Sequence, residues 1–115
     1  MKRVALFAFQ GDPVCFIHVL LNALDLAGRG HQATIVMEGS ATALIPAMAG
    51  AEHPLHGLYS KAKNQGLFAG VCRACATKLG VFDAALAAGF TPLDDMNGHP
   101  SVARFLDDDF EVLIF

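Results

Sequence analysis

The sequence predicts an α/β fold in which a parallel β-sheet is covered by helices on both faces. Three observations carry this. Short apolar runs recur along the 115 residues, and most are followed by a stretch whose apolar positions repeat at helical spacing. The runs are nearly continuous rather than alternating, which is how strands buried on both faces read. The connections are short and marked by Gly, Pro, Asn and Asp, with no tandem repeat, low-complexity tract or linker. About five strand–helix alternations of this kind describe one layered domain over residues 1–115, joined by right-handed crossovers.

Val4 to Phe9 is the first strand, broken by Gln10, Gly11 and Asp12. Asp12-Pro13 starts a helix: the carboxylate is an N-cap acceptor, and proline at the first helical position lacks an N–H that would have had no partner there. This helix is expected to run to about Ala27, with Ile17, Leu20, Leu21 and Leu24 on its inner face and Gly28 to Gly30 as its stop. His31 to Glu38, β-branched in its centre, is the second strand, closed by Gly39 and Ser40. In the following ATALIPAMAG, Pro46 should kink or divide the helix. Leu55, Leu58, Tyr59 and Ala62 mark another amphipathic helix with Lys61 and Lys63 outside and Gly66 at its end.

Leu67 to Val71 is the third strand, and Cys72 to Leu79 a short helix stopped by Gly80. Asp83 is expected to cap a further short helix reaching Ala88. A fourth strand falls in FTPLDDM, where Pro92 suits its first residue or a sheet edge. PSVARFLD is helical in pattern, and Phe110 to Phe115 is the last strand.

Composition narrows the function. Apolar residues make up 54% and charged residues 17%, an apolar excess that points to burial at a subunit interface. Eight Lys and Arg lie scattered in a chain of net charge −3, so there is no basic stripe for a phosphate backbone, and nucleic acid is not an expected partner. The apolar run near the N-terminus is too short for a signal peptide and no run is long enough to cross a bilayer, so no membrane partner and a cytoplasmic location are expected. Three cysteines, an odd number, do not form a disulfide framework. GRG at 28–30 precedes its strand instead of following it, and there is neither a P-loop nor a G-x-S-x-G.

In a parallel sheet every strand-to-helix turn lies on one edge, so Gln10–Pro13, Glu38–Ser40, Cys72–Cys75 and Asn97–His99 should gather there. The stretch GVCRACATKLG therefore places two cysteines, three apart, where this architecture binds its ligands. Cys72, at the N-cap of its helix, faces unpaired amide groups and the positive end of the helix dipole. That dipole contributes about 0.3 to 1 kcal/mol, or ~2 when partly buried, or roughly 0.2 to 1.5 pKa units. From a free-thiol value of ~8.5, Cys72 is expected near neutrality as a moderately activated nucleophile. Arg73 and Lys78 would lower it further; Asp12 and Glu38, if close, would raise it. Four readings stay open on the residues alone: a thioredoxin-like redox pair, a metal site, one reactive thiol with a helper, and packing. A zinc site needs four ligands, no second C-x-x-C exists, and His18, His31, His53, His56 and His99 show no spacing that completes a recognised set. No metal and no cofactor are therefore expected.

The run GLFAGVCRACATKLGV, a strand ending in Val-Cys and leading into a small-residue helix, resembles the cysteine region of the DsrE/DsrF-like family, which includes TusD-type sulfur-relay subunits. The start KRVALFAFQGDP and the last strand FEVLIF are similar to that family too, so the likeness extends over nearly the whole chain. The resemblance implies a three-layer α/β/α sandwich around a five-stranded parallel sheet, assembly into homo- or hetero-oligomers, and a persulfide carried on Cys72 between sulfur-donor and sulfur-acceptor proteins. Cys75 departs from the pattern, since the relay subunits have a small residue there. Lying one turn on, Cys75 could attack Cys72-S-SH, release sulfide and leave a disulfide. Asp12, Glu38 and His99 are the expected neighbours: a cap, a carboxylate base and a proton donor or thiolate partner. The rival reading is a non-catalytic module that uses Cys72 and Cys75 for a metal ion or as a thiol redox pair. Cys15, in the first helix, is expected in the core.

Overall fold

A computed structural model describes residues 1–115. Five strands, β1 (Arg3–Ala8), β2 (Gln32–Met37), β3 (Phe68–Cys72), β4 (Pro92–Leu93) and β5 (Glu111–Ile114), form one sheet in the order β4-β3-β2-β1-β5, every neighbouring pair parallel. The helices are α1 (Pro13–Gly28), α2 (Leu44–Ala49), α3 (His56–Asn64), α4 (Arg73–Lys78), α5 (Phe82–Ala87) and α6 (Val102–Asp107), with a 3-10 turn over Gly39–Ala43 before α2. The α/β class and the all-parallel sheet are those the sequence predicts. No helix is long and apolar enough to cross a membrane.

Strand periodicity sorts the core into two unequal halves. Val4, Leu6 and Ala8 of β1 with Ala33, Ile35 and Met37 of β2 point to one face and join residues from α1 to α5 in the larger apolar cluster. Ala5, Phe7 and Val36 point the other way, where their buried partner is Phe110 and the covering helix is α6 through Phe105. Phe105 meets Phe7 edge-on at 5.4 Å and Phe110 at 5.6 Å between ring centres. One layer is thick and the other rests on a single short helix.

Local chemistry explains most boundaries. Asp12 is extended and accepts from the Val14 amide, with Pro13 opening α1. Pro92 is the first residue of β4, which lies at the sheet edge, where a missing N–H costs no ladder bond. Gly70 has no room for a side chain: a Cβ there would stand 2.3 Å from the Thr91 carbonyl oxygen.

Three expectations need correction. The buried face of α1 is Phe16, Val19, Leu20 and Ala23, and Leu21 is 45% exposed. The observed set and the expected one share the same i, i+3, i+4, i+7 pattern one residue apart, so periodicity alone does not choose between them. Asp83 lies within the first turn of α5 rather than at its cap, which is Val81. Cys15 is exposed, on the outer side of α1.

Candidate functional site

The site begins where β3 gives way to α4. Cys72 is both the last strand residue and the N-cap of α4, and its sulfur accepts from the Cys75 amide at 3.4 Å. Cys75, one turn on, returns to the same side of the helix. The third member arrives from a different segment. After β4 the chain folds into a tight hairpin in which Met96 and His99 exchange backbone hydrogen bonds of 2.8 and 2.9 Å. The two residues between them, Asn97 and Gly98, have φ of 53° and 86°, the paired positive values of a type I′ turn.

This hairpin is fastened to α4. The Gly98 carbonyl accepts from the Ala74 amide at 2.9 Å and from the Cys72 thiol at 3.7 Å. A Cβ at Gly98 would stand 3.2 Å from that of Ala74, so the approach uses both the missing side chain and the left-handed backbone of glycine. The consequence is the position of His99. Its Nδ1 lies 3.1 Å from Cys72 Sγ and 3.8 Å from Cys75 Sγ, and the two sulfurs and an imidazole nitrogen lie within 4.8 Å of one another. Glu38, 6% exposed and just beyond the end of β2, stands close enough for its carboxylate to interact electrostatically with Cys72 and with His99.

The electrostatics overturn one expectation. Cys72 is fully buried, and burial pushes its thiol up to about 12; the Cys75 amide pulls the other way, while the Cys75 side chain and the Glu38 charge raise it further. The shift is opposite to the one expected, away from neutrality. The amide hydrogens of the N-cap are in place, but loss of solvation outweighs them. Burial also raises the Glu38 carboxyl above its usual range, partly offset by the nearby His99 and Cys72.

Access differs between the two sulfurs. Cys75 is half-buried and lines an open hollow of about 170 Å³ with Gly39, Ser40, Lys78 and Leu79. Cys72 lies behind it. Of the residues singled out in the sequence, Cys72, Cys75, Glu38 and His99 come together. Asp12 does not join them: it is exposed and capped onto Val14 at 2.9 Å, although the adjoining Gly11 packs against Ser40. Arg73 pairs with Asp94 at 3.3 Å and lies over the Phe82 ring, away from the thiols. Gly98, which seats His99, escapes a reading focused on reactive groups; the Asn-Gly dipeptide, the strongest short signal of a type I′ turn, is what marks it.

Comparison with known proteins finds similarity to proteins of two archaea. It is 28% identical over 104 residues to the uncharacterized protein MJ0733 of Methanocaldococcus jannaschii, a match covering 90% of this chain and 83% of that protein. It is 37% identical over 43 residues to an uncharacterized protein of Archaeoglobus fulgidus, covering 37% of this chain and 70% of the relative. No model of a known protein family matches the chain. No solved structure matches it significantly. At that identity and coverage, the chain belongs to one family with the Archaeoglobus fulgidus protein.

Proposed function

We propose that this chain is a sulfur carrier of the sulfurtransferase type, which accepts sulfane sulfur from a donor protein at Cys75 and holds it as a persulfide on Cys72. One observation carries the reading: an accessible thiol and a sealed thiol share a single imidazole, at 3.8 and 3.1 Å. The DsrE/DsrF-like resemblance supports sulfur as the cargo. It points to Cys72 as the holder, and the hollow beside Cys75 supplies the access that Cys72 lacks.

The chemistry balances without an external oxidant. The Cys75 thiolate attacks the terminal sulfur of a donor persulfide; the donor S–S bond breaks, the donor leaves as a thiol and Cys75-S-SH forms. Cys72 then passes its proton to His99 Nδ1 and attacks the same terminal sulfur, so that Cys72-S-SH forms and Cys75 departs as a thiolate and recovers a proton. The sulfane sulfur keeps its oxidation state throughout. Lys78, lining the hollow, favours the anionic persulfide on its way in. Transfer to an acceptor thiol runs the same steps in reverse. Assembly with a second copy and a cytoplasmic setting belong to the same proposal; the exposed Val102, Leu106, Leu113 and Ile114 on and beside the thin layer support the first.

The test is intact-mass analysis with peptide mapping after metal-free protein is incubated with a persulfide donor. Wild type should gain one sulfur on Cys72, Cys75→Ser should gain none there, and Cys72→Ser should keep its sulfur on Cys75. Equal loading of Cys72 with and without Cys75, or no loading of wild type, would overturn the proposal.

A further inference from the structure

We infer that Cys72, Cys75 and His99 form a three-ligand site for a soft divalent cation, Zn²⁺ by donor set, with the fourth position left to water or a small anion. This goes beyond the carrier reading and does not depend on it. The donor atoms are two sulfurs and one imidazole nitrogen, the combination that zinc prefers over calcium or magnesium. Tetrahedral zinc, with bonds of ~2.3 Å to sulfur and ~2.0–2.1 Å to nitrogen, separates sulfur from nitrogen by roughly 3.5 Å. The two observed separations, 3.1 and 3.8 Å, lie on either side of that value. All three donor atoms fall within 4.8 Å of one another, so the cation needs only small side-chain adjustments to bind.

The construction around the donors points the same way. A redox pair needs two sulfurs and no third group, and packing needs none. Here a hairpin with two consecutive positive-φ residues is locked against α4 by the Ala74–Gly98 hydrogen bond of 2.9 Å, and its effect is to hold an imidazole against both thiols. The ligands come from two chain segments 24 residues apart, so binding would tie the β4–α6 connection to the start of α4. Charge also balances. On binding, the two thiols release their protons to solvent and the dication meets two thiolates and a neutral imidazole, which leaves the protein-derived centre with no net charge. A site as buried as Cys72 can carry such a centre.

Glu38 lies outside the ligand triangle, near enough for its charge to act on Cys72 and so on the site through that ligand. Of the three ligands, Cys75 lines the open hollow. While the metal is bound, both sulfurs are ligated and unable to carry a persulfide, so metal and sulfur cargo would exclude each other.

The experiment titrates the chelator-treated full chain with Zn²⁺ and, as a visible probe, Co²⁺, in the absence of any sulfur donor. The expected result is one equivalent bound, with thiolate-to-cobalt charge-transfer absorption and the intense visible bands of a tetrahedral centre, and with Cys72 and Cys75 but not Cys15 protected from alkylation. Cys75→Ser and His99→Gln, both at partly exposed positions and checked for folding by circular dichroism, should each weaken binding by at least ~10-fold; Cys15→Ser should leave it unchanged. Absence of a stoichiometric complex, or a complex that survives both ligand substitutions, would overturn the inference. Because sulfur loading is measured on metal-free protein and metal binding without donor, either proposal can fail while the other stands.

Discussion

Cys72 sets two electrostatic effects against each other. The amide of Cys75 points at its sulfur from 3.4 Å, and full removal from water opposes ionisation. The second prevails because the helix-end amides and dipole are worth about 0.3 to 2 kcal/mol, while desolvation of a buried charge moves a pKa by several units. A thiol in this state reacts only when a base takes its proton or a cation replaces it, and the base within reach is His99, 3.1 Å away. Tyr59 presents the same physics without the chemistry. It is 3% exposed, its hydroxyl has no hydrogen-bond partner, and burial raises its ionisation above the usual 10.0. Tyr59→Phe should stabilise the fold at neutral pH by about 1 kcal/mol, since an unsatisfied buried hydroxyl is removed at little change in volume. The sign of the pH dependence follows from the raised value. The neutral form is favoured in the native state, so its contribution is fully present below pH ~10 and is lost as pH rises through the folded-state value. Denaturant melts of the two proteins from pH 7 to 11 should show wild type losing stability more steeply; parallel curves, or a destabilised Phe variant at pH 7, would contradict this account.

Among the elements, the hairpin at residues 96–99 has the largest effect on the site for its size. Its geometry requires φ of 86° at Gly98, and a methyl group there would press on Ala74 at 3.2 Å. Gly98→Ala should therefore cost about 1 to 3 kcal/mol and move the His99 ring off the sulfurs. The second effect has its own readout, because metal or sulfur chemistry at the cysteines should fall further than global stability explains. Retention of both in the variant would show that the hairpin does not position His99. The elements also show what is legible in a sequence. Asp12-Pro13 as a helix start, Pro92 as the opening of an edge strand, and Cys72 as strand end and helix cap were all readable, because each rests on chemistry within a few residues of chain. The rotation of α1 about its axis was not readable, since Phe16, Val19, Leu20 and Ala23 and the set one residue later satisfy the same spacing. Only the sheet beneath selects between them.

Across the molecule, the two sheet faces are covered unequally. The larger cluster draws on α1 to α5, whereas the smaller depends on α6, which has no fully buried residue of its own. Phe105 is the contact that holds it, stacked edge-on between Phe7 and Phe110. Phe105→Ala should cost about 2 to 4 kcal/mol and raise amide exchange selectively over residues 102–107, with α1 following only the global change. An unchanged melting temperature would mean that α6 is held by something other than this aromatic cluster. The sheet order also places the chemistry. The chain steps from β1 to β4 along one direction and returns to the far side of β1 for β5, so the reversal lies between β1 and β5, while the cysteine cluster sits beyond β2, β3 and β4.

The amino-acid sequence by itself determined the parallel α/β class, the succession of elements and the edge on which Glu38, Cys72, Cys75 and His99 would gather, because strand burial, capping and turn chemistry are local and the one-edge rule holds for any strand order. Only the tertiary structure decided that Cys72 is sealed while Cys75 is reachable, that Asp12 stays outside, and that His99 rests against both sulfurs. Solvent access and a distance between segments more than twenty residues apart depend on how layers pack, and no short window of sequence carries that information.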